Sequence, residues 1–285
     1  MIAKKKIFSF INTFQILSID VVIGTIAVGF MATKLLNITP NPYWWLILPL
    51  TVWVIYTLDH IIDSYKNKTK AVIARHRFHY IYQKSIIISI TIASALSISL
   101  SLIFLDNQII YYGLLLSLFI AIYLIIVFLV KKKKTILLQK ELIIAFVYTS
   151  GIFLAPLVWY QKMPPYPILL VIFNIFILVW LEGIIISWFD YDDDIKDGHT
   201  SFTIVVGKKN TRRFIIVMQV LLAILTKISM LTVTTKIEFA ALIITIIMDI
   251  ILLIVVFNPN KFYKNEYYRI TGEAIFLLPL LIILV

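Results

Sequence analysis

Two pairs of aspartates stand at matched spacing in this chain: Asp59 and Asp63 in YTLDHIIDSYKNK, then Asp190 and Asp194 in WFDYDDDIK. On a helix, a spacing of four places both carboxylates on one face about one turn apart, so each pair offers a two-pronged grip on a hard cation. Each member of the second pair follows its counterpart by 131 residues. Oxygen-only ligation selects magnesium, with manganese as the alternative, over zinc. Magnesium usually keeps waters and bridges to phosphate oxygens, so the implied ligand is a phosphorylated molecule carried in as its magnesium complex. Asp192, Asp193 and Asp197 complete the acidic run; a solvated loop and a direct role account for them equally well.

Cations accompany both pairs. Lys66, Lys68, Lys70, Arg75 and Arg77 follow the first, and Lys196, Lys208 and Lys209 the second. Of these, Lys66, Arg75, Arg77 and Lys196 are candidates to hold a diphosphate as charge develops on it, although basic residues beside membrane spans need no chemistry to explain them. Two of the chain's four histidines lie in ARHRFH, residues 74–79. This segment reads either as a cap over the anion or as an interfacial amphipathic stretch. His76 and His79 have no partners at zinc-ligand spacing, and no zinc site is expected from them. His199 and Thr200 read as capping a turn.

The elements that position these residues must cross a membrane. Mean hydropathy is +0.97 and only 14% of residues are charged, far outside the soluble range. Nine apolar segments approach the roughly 20 helical residues a bilayer requires: about 11–33, 43–58, 85–105, 109–130, 141–160, 166–189, 213–232, 238–257 and 270–285. No ten-residue alternation suggests a barrel, so the fold class expected is an all-α polytopic membrane protein. Its nine helices surround a central cavity as two four-helix halves plus a ninth, in one domain over 1–285 with cap loops at about 59–84 and 190–212. The start, MIAKKKIFSF, resembles a signal peptide, but its apolar part is too long and polar, and it reads as a retained first helix. Of 26 basic residues, 22 fall on one side of this arrangement, which places the N-terminus and both acidic motifs in the cytoplasm, the C-terminus outside, and the chain in a bacterial-type cytoplasmic membrane. That distribution also explains the net charge of +11 without nucleic acid. With no cysteine, thiol chemistry is excluded. Asp20, Glu182 and Asp249 fall inside apolar segments, where ionisable residues suggest function. Asp20 and Glu182 are candidates to face the cavity and the acceptor, and Asp249 reads as an interhelical hydrogen-bonding group.

The run DYDDDIKDGHTSFTIVVG resembles the second aspartate-rich motif of UbiA-type membrane prenyltransferases, and the order of motifs and helices is similar along nearly the whole chain. The resemblance implies that Asp59, Asp63, Asp190 and Asp194 bind magnesium and an isoprenyl diphosphate. Diphosphate then leaves, and an allylic cation is attacked by a lipophilic acceptor, commonly an aromatic ring or quinone precursor. Aromatic side chains such as Tyr56, Trp180 and Trp188 are candidates to stabilise the cation. The family tends to carry Asn four residues before the first Asp, where Ile55 stands here. It also tends to carry Tyr-x-x-x-Lys at the end of the fourth helix; Lys132 takes the place of the diphosphate-binding lysine, but Phe128 stands four before it and Tyr123 precedes Lys131 by eight. Alternatives are another polyprenyl-phosphate-using transferase, for example of phosphoribosyl type, a cation transporter that uses the acids as ion sites, or a non-catalytic assembly subunit.

Overall fold

The structure is a computed structural model that describes residues 13–129 and 140–285. Every regular element among the described residues is helical. In chain order these are α1 (Ile19–Leu35), α2 (Trp44–Asn67), α3 (Ala74–Ile81), α4 (Gln83–Phe104), α5 (Asn107–Leu129), α6 (Lys140–Tyr160) and α7 (Tyr166–Phe189). They continue as α8 (Tyr191–Asp197), α9 (Phe202–Val206), α10 (Lys208–Met230), α11 (Lys236–Phe257), α12 (Pro259–Tyr263) and α13 (Tyr267–Ala274), and a 3-10 segment, Ile275–Leu284, closes the chain.

Among the described residues, eight helices are long and apolar enough to cross a membrane. The expected count of nine includes α1, whose 17 residues fall short of the roughly 20 of a straight crossing. The last span, Pro259–Leu284, is composite: Asn265 and Glu266 have φ of 56° and 54°, and Pro279 interrupts its end. Two boundaries differ from the hydropathy reading. The second segment does not stop at 58 but runs as helix through Asn67, because His60, Ile61, Asp63 and Ser64 are buried against neighbouring elements. The second loop is likewise mostly helix, as α8 and α9.

Neighbour packs on neighbour around the bundle: α1 on α2, α2 on α4, α5 on α6, α6 on α7, α7 on α10, α10 on α11, and α11 and α1 on the 3-10 segment. Helix α7 is the most buried span, with Leu178, Leu181 and Ile184 fully enclosed. On α4 and α5, Ile88, Ile92, Leu102, Ile103 and Leu114 face outward, as expected where lipid is the solvent.

Membrane helices associate through close backbone approach at small residues, because lipid removes most of the hydrophobic drive. A Cβ at Gly24 would lie 3.0 Å from the Cβ of Phe276, and one at Gly29 3.1 Å from Trp44. These two glycines let α1 pack against the 3-10 segment and α2. Gly24→Val should therefore cost about 1–3 kcal/mol through overpacking, seen as a lower midpoint of thermal unfolding in detergent. An unchanged midpoint would show that this contact yields freely.

Candidate active site

A cavity of about 240 Å³ lies where α2, α6, α7 and α13 meet, and all four paired aspartates line it. Lys140, the first residue of α6, sends its ammonium between Asp59 and Asp63, 2.7 Å from one carboxylate and 2.6 Å from the other. The i,i+4 spacing on α2 thus brings both carboxylates within reach of a single ammonium group. At the end of α7, the Asp190 carbonyl accepts from the N–H groups of Asp193 and Asp194 at 2.9 and 2.8 Å. This turn starts α8 and carries Asp194 back toward the cavity. The Asp190 carboxylate accepts from Arg269 Nη2 at 2.5 Å and from the Tyr268 hydroxyl, groups that offset its position at the negative end of a helix. Burial, followed by the charge of Asp190, raises the Asp194 carboxyl to about 6.

Charge is unbalanced in this space. Besides the four aspartates, Glu141, Glu182 and Glu273 line the cavity, against Arg75, Lys140 and Arg269 as fixed cations. Among the described residues, seven carboxylates and three cations leave an excess of four acids. Buried acids in that ratio must either take up protons or gather cations. Glu141 is partly satisfied by the Phe202 N–H at 2.8 Å, which anchors α9. Gly272 allows α13 to press against α7, since a Cβ there would stand 2.9 Å from Glu182 Oε1.

The remaining sequence candidates divide. Arg75 lines the cavity and lies 3.1 Å from His60 Nε2; burial lowers its pKa, as it does that of His76. Arg77, two positions on, does not line the cavity; it is exposed and donates to the Ala71 carbonyl at 3.2 Å. Lys196 likewise lies outside the cavity lining, exposed and paired with Asp193 at 2.8 Å. Asp192 pairs with Lys208 at 2.8 Å, so both acids belong to the solvated face. The Lys66 side chain, Lys131, Lys132 and the Phe128 side chain lie outside the described residues. Tyr56 and Glu182 line the cavity, while Asp20 sits beside it within the field of Arg75 and Arg269. Trp180 packs on Phe214, and Trp188 donates to the Lys208 carbonyl at 3.1 Å; neither faces the cavity. Asp249 faces Gln219 between α11 and α10. His199 and Thr200 are cavity residues, not simple caps.

Sequence reasoning missed Lys140, Arg269, Tyr123 and Glu273. The two cations were absorbed into the count of basic residues that sets orientation. Arg269 and Glu273 also stand four apart, a signal of a shared face that could have found them. The expectation against partners for His76 is overturned as well: His76, Asp197 and His199 each bring one ligand atom within 4.8 Å of the others. Spacing along the chain hid this because the partners lie beyond the second acidic pair.

A second, larger cavity of about 490 Å³ adjoins the first among α2, α4, α5 and α6. Tyr56, Asp59, Tyr123 and Ile144 belong to both. Its walls are mainly apolar, relieved by Ser94, Ser97, Ser101, Gly113 and Gly151, and it extends along α2 from Asp59 to Trp44. Those sixteen residues of helix span roughly 22 Å. An acidic compartment therefore opens onto a deep, narrow, apolar one.

The UbiA prenyltransferase family model matches residues 57–267. Among solved structures, a UbiA homolog from Archaeoglobus fulgidus bound to GPP and Mg2+ is similar, with a TM-score of 0.64 at 14% identity over 95% of this chain and 99% of that one. The same homolog bound to DMAPP and Mg2+ gives 0.63 at 15%, over 95% and 99%. A structure reported for digeranylgeranylglyceryl phosphate synthase gives 0.55 at 18% identity, over 99% of this chain and 98% of that one. No curated protein matches. At these identities the structures speak for the fold, whereas the family model covers most of the chain and includes both acidic pairs: the chain belongs to the UbiA prenyltransferase family.

Proposed function

We propose that the chain transfers an isoprenyl group from a prenyl diphosphate to a lipophilic acceptor, an aromatic ring or quinone precursor, in a magnesium-dependent reaction. The observation that carries this reading is the joining of an acidic compartment to an apolar one at Asp59, Tyr56 and Tyr123. A molecule that is a multiply charged anion at one end and an isoprenoid at the other fits both compartments at once. GPP and DMAPP, each with Mg2+, are the molecules bound to the Archaeoglobus homolog.

The residues present fit magnesium. Its proposed ligands are Asp59, Asp63, Asp190 and Asp194, all oxygen donors, and Lys140 already marks a point where one positive charge meets two of them. Bound there, magnesium supplies the charge that neutralises a diphosphate and polarises its oxygens. The chain's own groups do the rest. Arg75, Lys140 and Arg269 donate to the diphosphate as the C1–O bond breaks and the electron pair leaves with it. Tyr56 and Tyr123 stand at the junction of the compartments, where their rings face an allylic cation and the apolar walls keep water away. The acceptor carbon then bonds to C1, and the proton it loses passes to one of the surplus carboxylates. The distribution of basic residues supports a cytoplasmic mouth for this site, with the N-terminus on the same side.

The test is pyrophosphate release by purified protein given prenyl diphosphates of increasing length and a panel of aromatic acceptors, with and without magnesium. Asp59→Asn and Asp190→Asn should each lower the rate at least about 100-fold. Wild-type protein that neither binds nor consumes any prenyl diphosphate would sink the reading.

A pH dependence follows from Asp194. Its folded-state pKa, about 6, is above the ordinary 3.8, so the folded chain prefers the neutral acid. Without metal, stability should fall as pH rises from about 4 through about 6, and magnesium should restore it. Magnesium must displace the proton, so its apparent affinity should fall up to about tenfold per unit below about pH 6. Titrating magnesium at several pH values checks this; an affinity flat between about pH 5 and 7 contradicts it.

A further inference from the structure

The chain has four histidines in 285 residues, and the fold gathers all of them. His60 and His76 are 6.1 Å apart between ring centroids, His60 and His79 5.2 Å, and His76 and His199 4.7 Å. All four are buried, His76 at 8% exposure and His199 at 7%. Within this group, His76, Asp197 and His199 place one ligand atom each within 4.8 Å of the others. Two imidazoles and a carboxylate form a donor set that suits zinc and other divalent transition ions rather than magnesium. We propose that these three residues bind such an ion, at a site distinct from the four aspartates but bordering them, and that the ion clamps α3 to the end of α8 and the segment following it.

Three features of the surroundings support a built site. His76 Nδ1 is buried with no hydrogen-bond partner, an expensive arrangement that a metal bond would relieve. The Asp197 carboxylate accepts from the Val72 N–H at 2.9 Å and the Ile73 N–H at 3.2 Å, so it is oriented by the segment that leads into α3. His199 turns Nδ1 toward Asp63 Oδ1 at 3.5 Å, the carboxylate–histidine relation that orients metal-binding imidazoles and favours ligation through Nε2. Ligands about 2.0–2.1 Å from a tetrahedral ion stand roughly 3.4 Å apart, so binding would draw these atoms closer together than the 4.8 Å within which they now lie. His76 and Asp197 come from segments following different acidic pairs, so the ion would join the two halves of the lid. Contact through Asp63 would couple it to the magnesium site.

The test uses full-length protein in detergent, stripped with a chelator and titrated with zinc or cobalt in saturating magnesium. The expected result is about one equivalent bound per chain, with cobalt giving ligand-field absorption bands. His76→Gln, Asp197→Asn and His199→Asn should each weaken zinc affinity about 10–100-fold, whereas Asp59→Asn should leave it within about threefold. Zinc should also slow hydrogen exchange at residues 72–81 in the wild type but not in His76→Gln. A stability gain from magnesium in each variant shows that its fold is intact. No zinc bound above background, or zinc lost in Asp59→Asn but retained in His76→Gln, would overturn the proposal; the second pattern would place the ion among the aspartates.

Discussion

The central constraint among the described residues of this protein is a shortage of positive charge around one site. Around one small cavity the fold gathers seven carboxylates and three fixed cations, near a medium in which an uncompensated charge costs several kcal/mol or more. Lys140 is shared by Asp59 and Asp63, and Arg269 is held against Asp190. Pairing among the described residues therefore leaves several acids over, which protons or additional cations must balance. On the proposed reading, a metal–diphosphate complex would meet this deficit, its cations balancing the acids and its anion engaging the arginines and the lysine.

Much of the bundle follows from presenting that site at one end of the membrane. The end of α2, the start of α6, the end of α7 and helix α13 all meet at the cavity, and the connections between the spans form its lid. Close packing elsewhere provides rigidity: Gly24 and Gly29 seat α1, and the core of α7 is filled by Leu178, Leu181 and Ile184. The opposite requirement holds among α2, α4, α5 and α6, where serines and glycines leave a deep apolar chamber. Rigid walls on one side and removed side chains on the other are what a site needs to hold a reactive cation and still admit a long, featureless chain.

The helical class, the membrane setting and the two aspartate pairs were legible because each is local: hydropathy is read over 20 residues and a carboxylate grip over four. Tyr56, Glu182 and Arg75 were also legible, as polar or aromatic groups close in sequence to the pairs. What escaped was supplied from a distance. Lys140 and Arg269 reach the pairs across the bundle, and in sequence they resemble any other basic residue at the end of a span. Arg77 and Lys196 show the reverse case: close to the pairs along the chain, they lie outside the cavity lining, because helical phase as well as proximity decides which side chains face it. The extension of α2 through Asn67 was missed because a hydropathy window stops at the first charge, whereas the helix continues wherever its buried face still has partners.

The account stands on the claim that two acidic pairs, from different parts of the chain, act as one site. A double-mutant cycle on magnesium-dependent binding of a non-reactive prenyl diphosphate analogue tests it most directly, with Asp59→Asn, Asp190→Asn and both together. If the pairs form one site, either substitution removes the metal-dependent part of the binding and the double variant loses little more. Losses that simply add in the double variant would mean two independent sites and would contradict the account.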